Sequence, residues 1–525
     1  MAASNPSVRR CLVTRVLELS GITKRFGHVT ANEDVSLHLD KGEIVALLGE
    51  NGAGKTTLTS ILFGHYVADA GTVRVEGTEL PPGRSRAAIR AGVGMVHQHF
   101  ALAPNLTVLD NVMTGTEPLW RLRSNRAAGR AKLVALSERF GLKVDPDARV
   151  SELSVGECQR VEILKALYND AHILILDEPT AVLTAQEAES LFATLRQMTE
   201  NGLSLIFISH KLHEVMSASD RVVVLRQGRV EATRRTSETT KEELAELMVG
   251  RKVDRPSRPP ATPGKVLLEA VDLSLSGKGG ASLHDVSFRL RAGETLGIIG
   301  VSGNGQTTLA GLVSGLFPPD SGALLVEGKQ VTVYDVPHAI SAGIGRIPED
   351  RNAEGTIGDM TTWENVALER IWSSEFSSRG MVRRAAARAA TEKIIKAHDV
   401  RGATVDGRIR LLSGGNMQKI ILGRVLDAEP DILVAAQPSR GLDEGAIAGV
   451  HERLLEARGR GAGVLLISED LDEVIALSDQ VCAIVGGRLS PAIPADRANA
   501  QILGLMMAGD WSVAGAIEAE TTNAL

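Results

Sequence analysis

Gly49-Glu50-Asn51-Gly52-Ala53-Gly54-Lys55-Thr56-Thr57 has the spacing G-x-x-x-x-G-K-[ST] of a loop built to cradle phosphate. Glycines let backbone N–H groups turn inward around phosphate oxygens, and a helix opening straight after them points its positive end the same way. Lys55 brings a mobile charge to the outer phosphates, and the Thr56 hydroxyl is a ligand for Mg2+. A second set, Ile173-Leu174-Ile175-Leu176-Asp177-Glu178, ends a short apolar run in two carboxylates. Alone, such a pair reads as a solvated turn. Beside a phosphate loop, Asp177 is placed to hold Mg2+ through water and Glu178 to polarise an attacking water.

These groups need a scaffold that brings strand ends together. Residues 43–49 read as a short buried strand and 55–63 as a helix opening after the glycines. Residues 172–176 and 203–209 read as further buried strands. Between them 185–199 reads as a helix with Leu191, Phe192, Leu195 and Met198 on one face. Residues 221–230, with Gln227-Gly228 at the centre, read as a hairpin. The alternation of strand and helix predicts an α/β fold with a mainly parallel sheet covered on both faces.

Composition narrows the class. The chain has 525 residues, 43% of them hydrophobic and 23% charged, at about 150 residues per domain room for three to four domain-sized units. Its 58 basic and 64 acidic residues leave a net charge of −6, with no basic stripe of the kind nucleic acid requires. Cys11, Cys158 and Cys482 stand far apart, with no CxxC or Cys/His cluster, which argues against disulfide scaffolding and zinc. The apolar runs fall far short of the ~20 residues that span a bilayer. The first sixteen residues hold no apolar stretch suited to secretion. The expectation is a cytosolic chain, working at a membrane only if a partner supplies the spanning helices.

The chain also repeats itself. The loop Gly49–Thr57 recurs 251 residues later as Gly300-Val301-Ser302-Gly303-Asn304-Gly305-Gln306-Thr307-Thr308. Leu153-Ser154-Val155-Gly156-Glu157 recurs 259 residues later as Leu412-Ser413-Gly414-Gly415-Asn416. A period this long is a duplicated domain, with about eight residues inserted in the middle of the second unit. Residues 251–264 carry four prolines and read as an extended linker. The expected division is 16–250, a linker at 251–265, 266–510, and a flexible tail at 511–525.

The joint order of these segments resembles the ATP-binding subunits of ABC transporters, over about residues 16–510. Leu153–Arg160, shortly before the Asp177-Glu178 strand, is similar to that family's signature motif, and the second copy (Leu412 to Lys419) is closer to the family pattern. Gln98 matches the family's glutamine loop, which also reaches the metal. His210 matches its switch histidine, and Phe26 sits where the family stacks an aromatic on adenine. The resemblance implies two tandem P-loop NTPase domains of ABC type, each with a helical subdomain and an antiparallel β subdomain. It also implies ATP and Mg2+ as ligands. Cys158 falls inside the signature where the family usually has another residue, and is read as a tolerated substitution rather than a redox switch.

Carried onto the second copy, these positions change. Lys55 becomes Gln306, Phe26 becomes Gly277, Gln98 becomes Glu349, Asp177 becomes Ala436, Glu178 becomes Gln437 and His210 becomes Glu469. The signatures are skewed the other way: Ser413, Gly414 and Gly415 are intact, whereas the first copy carries Val155. Asp443 in Arg440-Gly441-Leu442-Asp443 has no counterpart in Ala181-Val182-Leu183-Thr184. Two such domains pair head to tail in the family, so the intact loop would meet the intact signature and Asp443. The resemblance thus implies one hydrolytic site built from both halves.

The tandem layout resembles import ATPases of the sugar and nucleoside group, and residues 431–443 and 347–351 look most like its nucleoside branch. Relatives importing ribose or galactose tend to keep acids at Ala436 and Gln437. Implied partners are two integral membrane permease subunits and an extracytoplasmic solute-binding protein, with the chain peripheral on the cytoplasmic face. A soluble tandem ABC protein acting on ribosomes or DNA is the rival; its usual long charged linker, basic tail or zinc cysteines do not occur here.

Overall fold

The computed structural model describes residues 14–97, 100–117, 124–180, 183, 185–209, 211–250, 258–260, 262–277, 280–515 and 517. Contacts divide the chain into two units, Met1–Val253 and Asp254–Leu525. Among the described residues, no helix is long and apolar enough to cross a membrane.

In the first unit the strands Ile44–Leu48, Ile173–Asp177 and Ser204–Ser209 are buried along their whole length. They sit inside a six-stranded sheet ordered Arg229–Arg235, Arg221–Arg226, Ile44–Leu48, Ser204–Ser209, Ile173–Asp177, Val93–Val96. All pairings are parallel except the closing hairpin of Arg221–Arg226 with Arg229–Arg235. Side chains alternate across a strand, so Ile44, Ala46 and Leu48 enter one core while Val45 and Leu47 enter another. The first core gathers the helices Val108–Met113, Arg126–Phe140 and Val155–Tyr168. The second lies under an antiparallel sheet ordered Val29–Asp40, Arg15–Phe26, Ala70–Val75, Thr78–Glu79. Each large side chain so enclosed contributes roughly 1.5–3 kcal/mol. On the helix Ala185–Glu200, Leu191, Leu195 and Met198 are buried as expected, and Phe192 packs on Phe207 with centroids 5.4 Å apart.

The second unit repeats this plan. Its parallel order is Ile344–Ile347, Ile432–Ala436, Gly463–Ser468, Thr295–Ile299, Gln480–Val485. Its antiparallel sheet runs Leu283–Arg291, Val266–Leu275, Ser321–Val326, Lys329–Gln330. The extra residues fall in two places rather than one. The bridge Thr107↔Arg149 has its counterpart in Thr361↔Arg408, so the offset has grown from 251 to 254 at the first residue and reaches 259 at the second. Three residues therefore enter before Thr361, in the loop that forms a π-type turn at Arg351–Gly355. The other five lie within the helical insert, which gains a small hairpin of Ser377–Ser378 with Met381–Val382.

Packing also continues past residue 510. The Trp511 indole N–H donates to the Met506 carbonyl at 3.1 Å, and Ala514 is fully buried beside Leu503 and Met506. The run of small residues after Trp511 hid this small apolar anchor.

Candidate functional site

The glycine loop joins the strand Ile44–Leu48 to the helix Lys55–Phe63. Gly54 takes φ 98°, and a Cβ there would run into the Ala31 carbonyl and stand 2.6 Å from the Asn32 amide nitrogen. Only glycine fits. Asn32, fully buried, donates to the Gly54 carbonyl at 3.2 Å and thereby ties the loop to the antiparallel sheet. Nothing in the sequence motif pointed to it. Lys55 curls back over the loop, donating from Nζ to the carbonyls of Gly49 (2.7 Å) and Glu50 (2.9 Å). The Ala53 N–H donates to the Glu50 carbonyl at 3.1 Å, and the Leu58 N–H to Gly54 at 2.9 Å. Asn51, Gly52 and Thr56 face solvent, with Thr57 half-buried behind them. The loop is thus shaped before any phosphate arrives.

Asp177 ends the neighbouring strand and is 7% exposed. Burial first, then the charge of Glu178, push its carboxyl up to about 6, while Lys55 pulls the other way. Lysine and both carboxylates therefore feel one another, as the motif pairing predicts. Glu178 adopts φ 46° and donates its N–H to the Ile208 carbonyl at 3.1 Å. A non-glycine residue in that left-handed region costs of order 1 kcal/mol or more and persists only where its surroundings impose it. Mg2+ fits this donor set, since it keeps several waters and takes one or two carboxylates plus phosphate oxygens. Asp177 and the exposed Thr56 are the oxygen donors at hand, and Asp177 has more buried negative character than Lys55 alone relieves. Among the described residues, no three His, Cys, Asp or Glu side chains gather as a metal cage.

Gln98 and His210 lie outside the described residues. Next to Gln98, the Ala101 N–H donates to the buried Glu162 carboxylate at 2.6 Å, and Lys165 Nζ donates to the Ala101 carbonyl at 2.8 Å. The end of the glutamine loop is thereby fastened to the signature helix Val155–Tyr168. Next to His210, Glu214 accepts from the hydroxyls of Thr180 (2.5 Å) and Ser209 (2.8 Å), with Lys211 Nζ 3.1 Å away. This buried knot joins the ends of the strands Ile173–Asp177 and Ser204–Ser209.

Phe26 is 44% exposed. Its ring meets Tyr66 edge-on at 5.5 Å and Lys24 Nζ at 5.3 Å. Tyr66, itself half exposed, widens the aromatic surface and was not foreseen.

The two signatures differ as cap and as surface. Ser154 and Glu157 form a reciprocal capping box, with Ser154 N–H donating to Glu157 at 2.9 Å and Glu157 N–H to Ser154 at 3.3 Å. Val155 then presents an exposed branched side chain. In the second copy Ser413 caps the helix Gly414–Leu426, accepting from the Asn416 side chain at 2.9 Å. Gly414 and Gly415 follow without side chains. Asp443 caps the helix Glu444–Gly459 by accepting from Ala446 N–H at 2.9 Å. Cys158 and Cys482 are buried free thiols; burial raises both, Cys482 to about 12.

The second copy's loop keeps its shape with other chemistry. Gln306 donates from Nε2 to the Val301 carbonyl at 2.8 Å and accepts from the Asn304 N–H at 3.0 Å. The Thr307 hydroxyl donates to Glu349 at 3.2 Å. Ala436 fills the strand end that Asp177 fills in the first copy. Gln437 repeats the backbone of Glu178, with φ 47° and its N–H on the Ile467 carbonyl at 2.7 Å. Mg2+ does not fit here: no carboxylate ends the strand, and Glu349 is engaged by Thr307 and paired with Arg440.

Comparison with known proteins agrees with this geometry. A family model described as "ABC transporter" matches residues 32–181 and 283–440. A glucose import ATP-binding protein of Haloferax volcanii is 42% identical, covering 94% of this chain and 96% of the relative. A nucleoside import ATP-binding protein of Lactococcus lactis subsp. cremoris is 41% identical, covering 94% and 98%. The archaeal ribosome recycling factor, solved with a ribosomal stalk protein, aligns over 90% of both chains with a TM-score of 0.61; at 18% identity this is a likeness of fold. By sequence over both halves and by fold, the chain belongs to the ABC transporter family.

Proposed function

We propose that this chain is the ATP-hydrolysing subunit that energises import of a small polar solute, with nucleosides the first candidate and one competent ATP site. The observation that carries this is the grouping of Lys55, Asp177 and Glu178 in the first copy against Gln306, Ala436 and Gln437 in the second. Defects in the loop fall in one copy and defects in the signature in the other, as expected if each loop works with the opposite signature.

In this reading the substrate ATP rests its base on Phe26 and its phosphates on the N–H groups of residues 49–57, with Lys55 neutralising the outer phosphates. Thr56, Gln98 and Asp177 would hold Mg2+, which would supply positive charge against the negative charge that hydrolysis develops on the phosphate oxygens. Glu178 orients and polarises the attacking water, and His210 holds the departing phosphate's side of the site. Ser413, Gly414, Gly415 and Asp443 close the site from the second copy, and hydrolysis reopens it. Gln98, Glu349 and the helical inserts after them pass the movement to two integral membrane permease subunits, which a solute-binding protein outside the membrane supplies. The chain then sits peripherally on the cytoplasmic face and binds no nucleic acid.

The glucose-importing relative favours a second reading, a monosaccharide importer. Purified chain reconstituted with its permeases in liposomes separates the two by ATP-driven uptake of labelled nucleosides or labelled hexose and pentose. Uptake of neither, or ATPase activity that survives Glu178→Gln, refutes the proposal.

A further inference from the structure

We propose that Arg351 is a positioning residue that ties the signature turn Ser413–Gly415 to the second copy's own phosphate loop, so that a loop without its lysine serves as a strut. This rests on the reading that this signature serves the first copy's nucleotide. Arg351 opens the π-type turn Arg351–Gly355, in the loop lengthened by three residues. Asp350 fixes that turn, accepting from the N–H groups of Asn352 (2.8 Å) and Ala353 (2.9 Å).

From there the Arg351 fork bridges two carbonyls. Nη1 donates to Gly414 at 3.2 Å and Nη2 to Arg440 at 2.8 Å. The Arg440 guanidinium in turn pairs with Glu349. Glu349 accepts from the Thr307 hydroxyl at 3.2 Å, in the first turn of the helix Gln306–Val313. An unbroken polar chain thus runs from the phosphate loop to the signature. A planar guanidinium has the geometry for this; a lysine makes only part of it.

The glycines agree. A Cβ on Gly414 would stand 3.3 Å from Arg351 Cζ, and one on Gly441 (φ 65°) 3.0 Å from Nη2. Both positions are kept bare beside the guanidinium. The first copy has no arginine between Arg90 and Arg121, and there Val155 takes the place of Gly414. Where the arginine is missing, so is the glycine. The strut also accounts for the intact loop backbone of a copy that has lost its catalytic side chains.

The test uses the full-length chain. Arg351→Ala is expected to lower kcat for ATP about tenfold, the loss for one mispositioned contact near 1.4 kcal/mol. Affinity for a fluorescent ATP analogue and KM should stay within about twofold, because the first copy's loop is untouched. Arg351→Lys should recover part of the loss. Gly414→Val should match Arg351→Ala, and the double variant should be no worse than either single one. Amide hydrogen exchange at residues 413–416 should rise in Arg351→Ala with the melting temperature unchanged. Wild-type kcat in Arg351→Ala, additive losses in the double variant, or unchanged exchange at 413–416 overturns the proposal. Should Arg351→Ala not fold, Arg440→Ala breaks the same chain at a half-exposed site and is judged by the same readings. Exchange reports on the strut whatever the activity, so a chain without Glu178-dependent ATPase refutes the proposed function and leaves the strut to be judged by exchange.

Discussion

Lys55 and Gln306 occupy the same place at the start of the same helix, and both turn back to bond the loop that precedes them. Lys55 does so with a charge that a phosphate can claim; Gln306 does so with a neutral amide whose donor and acceptor are both used. Glu178 and Gln437 likewise share a left-handed backbone, 46° against 47°, and the same N–H bond to the adjacent strand. Backbone geometry is thus common to both copies, while Lys55 and Glu178 have the uncharged counterparts Gln306 and Gln437 in the second.

The sharpest way to break this comparison is to make matched changes in both copies. Glu178→Gln should lower kcat by about 10²–10³, the scale for removing a positioned catalytic group, while Gln437→Ala should change steady-state ATPase by less than about twofold. Equal losses would end the one-site model. Core substitution should ignore the asymmetry: Phe207→Ala, fully buried in the first copy, should cost about 3–5 kcal/mol in denaturant unfolding. Asp177→Asn should abolish turnover yet stabilise the ligand-free chain. Burial and the neighbouring Glu178 push the native carboxyl up to about 6, above its ordinary value of 3.8, so the folded state holds the proton more tightly. Stability is then lost as pH rises from about 4 to 6, by up to about 3 kcal/mol. The asparagine variant should therefore melt higher than wild type above pH 7 and nearly level with it below pH 4; Ala436→Asn should show no such pH dependence. Smallest of all, Phe26→Ala or Tyr66→Ala should raise KM for ATP by about two- to tenfold, the worth of one aromatic contact.

Local signals carried much of this into view. The glycine spacing, the fully apolar strands and the period of 251–259 residues are properties of short segments, and the parallel sheet and hairpin at Arg221–Arg235 follow from them. Residues whose role depends on a distant partner were silent. Asn32 reaches the loop from the antiparallel sheet, Tyr66 joins Phe26 from the far end of the phosphate-loop helix, and Glu214 binds one hydroxyl at the end of the strand Ser204–Ser209 and one in the turn after Ile173–Asp177. None of these has a motif. The offsets placed the inserted residues in the middle of the unit but did not divide them, which the paired bridges at Thr107 and Thr361 do. Gln98 and His210 remain expectations of the resemblance alone.

The buried knot at Glu214 has a twin: Ser468 donates to Glu473 at 2.6 Å, and His451 Nε2 lies 3.1 Å from the other oxygen of that carboxylate. Each glutamate accepts from the hydroxyl that ends a central strand, Ser209 in one copy and Ser468 in the other. The same clasp therefore stands in the copy that carries Lys55 and Asp177 and in the copy where Gln306 and Ala436 replace them, so support of the strand end does not depend on the side chains that differ.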